Sequence, residues 1–147
     1  MPETYRYTHA NLENVHLLNG FFIENDPDLG ESAGIEAINE MNDRLRKIMI
    51  VQAPYLDGVQ LYWLRSEMGI NRETLARLMA VPVRTIASYE ERRMPLPQEF
   101  DDAFRSLFCE KMGLKVYDKT WASQEYGHPY SIRLAIEGGC WVGHIAY

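Results

Sequence analysis

Five arginines fall within residues 72–93, at positions 72, 77, 84, 92 and 93, against three glutamates at 73, 90 and 91. A guanidinium can bridge the O6 and N7 of a guanine or grip a phosphate, so a cluster of them points to nucleic acid when the backbone can present it. The surrounding run from Leu64 to Glu90 supplies such a backbone. Its apolar positions recur at helical intervals on either side of a tight turn, and the second helix carries small and basic side chains outward. Two short helices joined in this way can lay the second in a DNA major groove.

Other reactive side chains do not assemble into a recognisable chemistry. Asp26, Asp28 and Glu31 could form a carboxylate site, with His128 or His144 as a base. No nucleophile motif, metal-spaced cluster or phosphate-binding loop accompanies them, so no catalytic residue is expected and the chain reads as a non-enzyme. Cys109 and Cys140 stand far apart without a CxxC pair, and His9, His16, His128 and His144 are scattered. Free thiols, no metal and no cofactor are the expectation.

The elements that must position the arginines can be read along the chain. Residues 4–9 alternate with Tyr5 and Tyr7 on one face, which predicts a strand. Two apolar runs, 15–18 and 21–23, flank Asn19-Gly20, the pair favoured in a two-residue hairpin turn. Residues 25–34 read as an acidic loop. A helix is expected over about 35–51, with an apolar stripe of Ile35, Ile38, Met41, Leu45, Ile48 and Met49. That stripe could pack on its own domain or form a dimer seam. Asp57 caps a helix reaching Met68, which Gly69 ends. Asn71 caps a helix over 72–79, with Leu75 and Ala76 inward. Ala80-Val81 turn the chain into a third helix over 83–92, with Ile86 and Tyr89 buried. Pro95 and Pro97 precede a last helix striped by Phe100, Ala103, Phe104, Leu107 and Phe108. Residues 131–136 and 140–147 alternate around Gly138-Gly139, which predicts a second hairpin. Three segments follow: 1–56, an N-terminal β-hairpin and amphipathic helix; 57–113, the helical unit; and 114–147, a C-terminal extension with a β-hairpin.

Composition narrows the class. With 147 residues, 46% of them hydrophobic, the chain can fill a core. No apolar run approaches the 18–20 or so residues needed to span a bilayer, and the start lacks a secretory pattern, so no membrane partner and a cytoplasmic location are expected. The net charge of −6 is unevenly placed: residues 1–57 hold ten acids and four Lys/Arg, whereas 58–113 hold eight of each. Such a chain should bind random DNA weakly and depend on a defined contact surface.

The segment from Leu64 to Pro97 resembles the lambda-repressor-like (Cro/Xre-type) helix-turn-helix family. The matching positions are Leu64-Arg65, Gly69-Ile70-Asn71-Arg72, Leu75-Ala76, Met79-Ala80-Val81-Pro82, Thr85-Ile86 and Tyr89-Glu90, followed by Pro95 and Pro97. The resemblance implies a mainly α fold, a lambda-repressor-like helical bundle containing the helix-turn-helix, with small β-hairpin extensions at both ends. It also implies that Val83, Arg84, Ala87 and Ser88 meet base edges, and that Arg72 reaches a phosphate or groove edge. Arg92 and Arg93 would contact phosphates, or serve only as solvated charges at a helix end; Glu90 is expected to be a structural partner. Departures from the family pattern are Arg72 for the common Gln, Ala80 for the turn Gly, Pro82 for the capping hydroxyl residue and Arg92 for a Gly. More loosely, Tyr5-Arg-Tyr7 and the run from Leu12 to Phe21 are similar to small bacterial antitoxin-like regulators.

The functional expectation is a sequence-specific DNA-binding transcriptional regulator, a homodimeric repressor reading an inverted repeat in double-stranded DNA through the helix at 83–92. The alternative is an antitoxin-type protein that binds a toxin or other protein partner and autoregulates its operon.

Overall fold

The computed structural model describes residues 4–7, 12–114 and 129–147. His9, His128 and the far end of the expected first strand lie outside them. Four strands come first: β1 (Tyr5–Arg6), β2 (Val15–Leu17), β3 (Phe21–Asp26) and β4 (Gly30–Ile35). Five helices follow: α1 (Ile38–Val51), α2 (Gly58–Met68), α3 (Arg72–Met79), α4 (Val83–Glu90) and α5 (Gln98–Met112). Strands β5 (Ser131–Glu137) and β6 (Cys140–Ala146) close the order.

This is a mixed α/β fold, which corrects the expectation of a mainly α chain with a hairpin at each end. The two ends are joined. Strand β2 runs parallel to β5, pairing Val15 with Ile132 and Leu17 with Leu134, so one sheet is built in the order β1-β2-β5-β6. Alternation along each strand reveals a buried face, but parallel pairing between opposite ends of a chain leaves no local signal.

The N-terminal hairpin differs too. Asn19-Gly20 does not fold β2 onto β3; β3 pairs with β4, the stretch read as loop, in a separate two-stranded sheet. The Asn19 side chain instead acts as a substitute peptide. Its amide donates to the Ile136 carbonyl (3.3 Å) and its carbonyl accepts from the Ile136 N–H (2.6 Å). Gly20, at φ 74°, then carries the chain over Trp141, where a Cβ would lie 2.6 Å from the indole ring.

Helix α1 covers one face of the four-stranded sheet and then meets α5, and α5 meets α2. Its buried Met41, Leu45, Ile48 and Met49 join Val15, Leu17, Ile132, Leu134 and Trp141 in the core, so this part of the stripe is used within its own chain, whereas Ile35 ends β4 instead of opening the helix and Ile38 is exposed. The junction between α1 and α5 is polar but sealed. Arg105 Nη1 donates to the Met49 and Ile50 carbonyls (3.3 and 3.1 Å), at the end of α1 where carbonyls lack helical partners. Arg105 also pairs with Asp101, and Asp101 Oδ2 accepts from the Leu56 N–H (2.8 Å). Both side chains are almost fully buried, so this pair ties the sheet half to the helical half.

Candidate nucleic-acid interface

Helix α2 sets the frame for the paired helices. Asp57 and Gln60 form a reciprocal capping box at its start, each side chain meeting the other's backbone N–H (2.8 and 3.0 Å). Gly58 sits where α2 crosses the end of α4: a Cβ there would collide with the Tyr89 and Arg92 carbonyl oxygens. Helix α3 starts under the Asn71 side chain, which accepts from the Thr74 N–H (2.8 Å). It ends at Ala80, a non-glycine residue held at φ 56°, and the Val81 N–H closes the turn on the Ala76 carbonyl (3.0 Å). Pro82 opens α4 without a side-chain cap.

One buried carboxylate holds the three helices together. Glu90, on α4, accepts from Arg65 of α2 through Nε and Nη2 (2.7 and 2.9 Å) and from Nε of Arg72 on α3 (2.8 Å). Arg65 also donates from Nη1 to the Ile70 carbonyl in the α2–α3 turn (2.9 Å), and its guanidinium lies 5.2 Å above the Tyr62 ring. The hydrogen bond to Glu90 raises the Arg65 pKa further, outweighing the opposing effect of burial. Glu90 is thus the structural partner expected of it. The role of Arg65 was missed; a charge in helical register with buried Leu61 was its signal in the sequence.

The residues expected at base edges share one face of α4. Val83 and Arg84 are exposed, Ala87 and Ser88 are half-buried, and Ile86 and Glu90 face inward. Arg84 makes no ion pair among the described residues. Arg72 opens α3 with Nε committed to Glu90 and its side chain about one-third exposed (36%). The last helical residue of α4 is Glu90 rather than Arg92, so Arg92 and Arg93 lie beyond the helix. Arg92 is exposed, whereas Arg93 reaches back to Glu13 Oε2 (3.4 Å). The structure therefore gathers Val83, Arg84, Ala87 and Ser88 into one surface, places Arg72 beside it through Glu90, and turns Arg93 to the N-terminal segment.

The residues weighed for catalysis do not converge. Asp26, Asp28 and Glu31 lie at the tip of the β3–β4 hairpin, where Asp26 Oδ1 accepts from the N–H groups of Asp28 and Leu29 (2.7 and 3.0 Å), an ordinary Asx turn. His144 belongs to β6, in the other sheet. Cys109 is buried and Cys140 exposed, both unbridged. Among the described residues no three His, Cys, Asp or Glu side chains gather as a metal site, and no helix is long and apolar enough to cross a membrane. Comparison with protein-family models, curated proteins and solved structures yields no match to this chain.

Proposed function

We propose that this chain is a sequence-specific DNA-binding transcriptional regulator, acting as a homodimeric repressor on an inverted repeat. The observation that carries the reading is the outer face of α4, with Val83 and Arg84 exposed and Ala87 and Ser88 half-buried beside them, on a helix held by α2 and α3. Arg84 suits a guanine edge through its two parallel donors, Val83 and Ala87 suit thymine methyls, and Ser88 can donate or accept. Arg72 and Arg92 supply positive charge next to that face for phosphates. The family resemblance supports the same assignment. One such unit makes too few contacts for tight binding, and two-fold pairing places a second copy about one helical turn away.

Selection of bound sequences from random double-stranded DNA tests the reading, followed by gel shifts with wild type and Arg84→Ala. An inverted repeat should emerge, and R84A should lose about 1–3 kcal/mol of discrimination at one base pair per half-site. No enriched sequence, or an R84A protein with unchanged affinity and preference, would refute it.

A further inference from the structure

The register of the four-stranded sheet lines up one titratable or cationic residue from each strand. Arg6 on β1 pairs with His16 on β2, His16 pairs with Arg133 on β5, and Arg133 pairs with His144 on β6. Paired residues share a face, and strands stand about 4.8 Å apart, so the row runs about 14 Å straight across the sheet. It lies on the face opposite α1: the neighbouring rows, Val15 with Ile132 and Leu17 with Leu134, are the buried ones. Arg6, Arg133 and His144 are exposed, and none of the four makes an ion pair among the described residues. The nearest carboxylate on that face of β5 is Glu137, four residues and about 13 Å along the strand from Arg133. The two arginines flank His16 from either side, so a proton on that histidine is opposed by both neighbours. Burial, then Arg133, then Arg6 depress the His16 pKa, which registers the same repulsion. An anionic surface laid across the row would relieve that repulsion.

The chain carries a matching surface. From residue 7 to residue 43 there are eight Asp/Glu and no Lys or Arg. Four of the acids, Glu24, Asp26, Asp28 and Glu31, crowd the exposed end of the β3–β4 arm and make no ion pair among the described residues. The same arm exposes Phe22 (53%) and Leu29 (88%). Beside the row, Ala135 and Val142 are paired on the outer face and offer small apolar surface. DNA is the competing anion, since Arg93, just beyond α4, meets Glu13 three residues before His16. The arm is favoured because its acids stand beside exposed Phe22 and Leu29, apolar side chains that suit the Ala135–Val142 surface and not a phosphate backbone.

We propose that this chain self-associates by seating the acidic β3–β4 arm of one copy across the Arg6–His16–Arg133–His144 row of a second. Under two-fold symmetry the contact is made twice, which gives the dimer of the proposed function a defined surface. It takes only the dimer from that reading, and its primary readout is the oligomeric state of the protein without DNA.

Full-length protein is followed by analytical ultracentrifugation at 50 and 500 mM NaCl. Exposed pairs are screened by salt, so the dimer dissociation constant should rise about tenfold or more at the higher salt. R6E/R133E and E24K/D28K should each raise it at least about tenfold alone. Mixed together they should form a heterodimer near wild-type strength, because each reversed surface then meets its complement. R133Q serves the first comparison if R6E/R133E does not fold. A wild type that is monomeric at 50 mM NaCl, a dimer indifferent to R6E/R133E or R133Q, or a mixture without heterodimer overturns the proposal. So does an R6E/R133E dimer of wild-type strength that has lost DNA affinity, which would assign the row to nucleic acid. None of these results touches the Arg84→Ala test, so the two readings fail separately.

Discussion

Replacing Glu90 by Gln removes one charge from the centre of the three-helix unit while keeping its size. The Glu90 side chain is fully buried, Arg65 is 10% exposed and Arg72 is 36% exposed. Three charge-assisted hydrogen bonds, two from Arg65 and one from Arg72, converge on this carboxylate. Glutamine retains one acceptor oxygen, but its NH2 group then faces an arginine donor. Removing one member of a buried pair costs about 3–5 kcal/mol because the other charge is stranded. Arg72 escapes into water, so its share is at most about 1 kcal/mol. The retained oxygen recovers roughly one hydrogen bond, about 1 kcal/mol. The net expectation is a loss of about 2–4 kcal/mol. Urea unfolding by circular dichroism reads it as a midpoint lowered by about 1–2 M with an unchanged slope. Arg72→Gln should cost less than about 1 kcal/mol, whereas Arg65→Met should cost about 3 kcal/mol. E90Q within 1 kcal/mol of wild type, or R72Q as damaging as E90Q, would refute the assignment of Glu90 as the buried hub.

Other expectations rest on separate features. Arg105→Met leaves buried Asp101 unpaired and removes the donor to the Met49 and Ile50 carbonyls, so it should cost about 3–5 kcal/mol. D101N/R105M removes the charge but keeps an acceptor for the Leu56 N–H, and should recover at least half of that loss in the same denaturation assay. Ala80→Gly relieves a left-handed backbone at the α3–α4 turn and should stabilise by about 0.5–1 kcal/mol, net of the added freedom of the unfolded chain; a lower unfolding midpoint would contradict it. His16 has a folded pKa below its ordinary 6.5, so the unfolded chain binds the proton more tightly. Its contribution is present above pH 6.5 and is lost as pH falls through that value toward the folded pKa. His16→Gln should therefore flatten the stability profile between about pH 7.5 and 5, and an unchanged slope would disprove the assignment.

Legibility followed the range of the interactions involved. The bounds of α2 and α3 were readable because Asp57, Gly69 and Asn71 act within one turn of the helix they start or stop. Helix α4 lost its last two expected residues because no side-chain signal separates Glu90 from Arg92. Residues 25–34 of the β3–β4 arm read as a loop because their glycines, proline and acids are turn formers; pairing such as Phe22 with Gly34, whose missing side chain leaves room for the Phe22 ring, is not a local property. The Asp101–Arg105 pair was visible only as an i,i+4 charge pair beside the Phe100, Phe104 and Phe108 stripe. That spacing is equally common on a wet helix face, so burial could not be inferred from it.

The sequence by itself determined the helices of the α2–α5 unit and the set Val83, Arg84, Ala87 and Ser88 on one helical face, since caps and 3.6-residue periodicity are properties of neighbouring residues. Tertiary structure decided that the chain's ends pair through β2 and β5, that Glu90 collects Arg65 and Arg72, and that Arg6, His16, Arg133 and His144 form a row. Each of these joins residues distant in sequence whose order holds no trace of the pairing. Only the common burial of α1, the sheet and α5 around one core brings them into register.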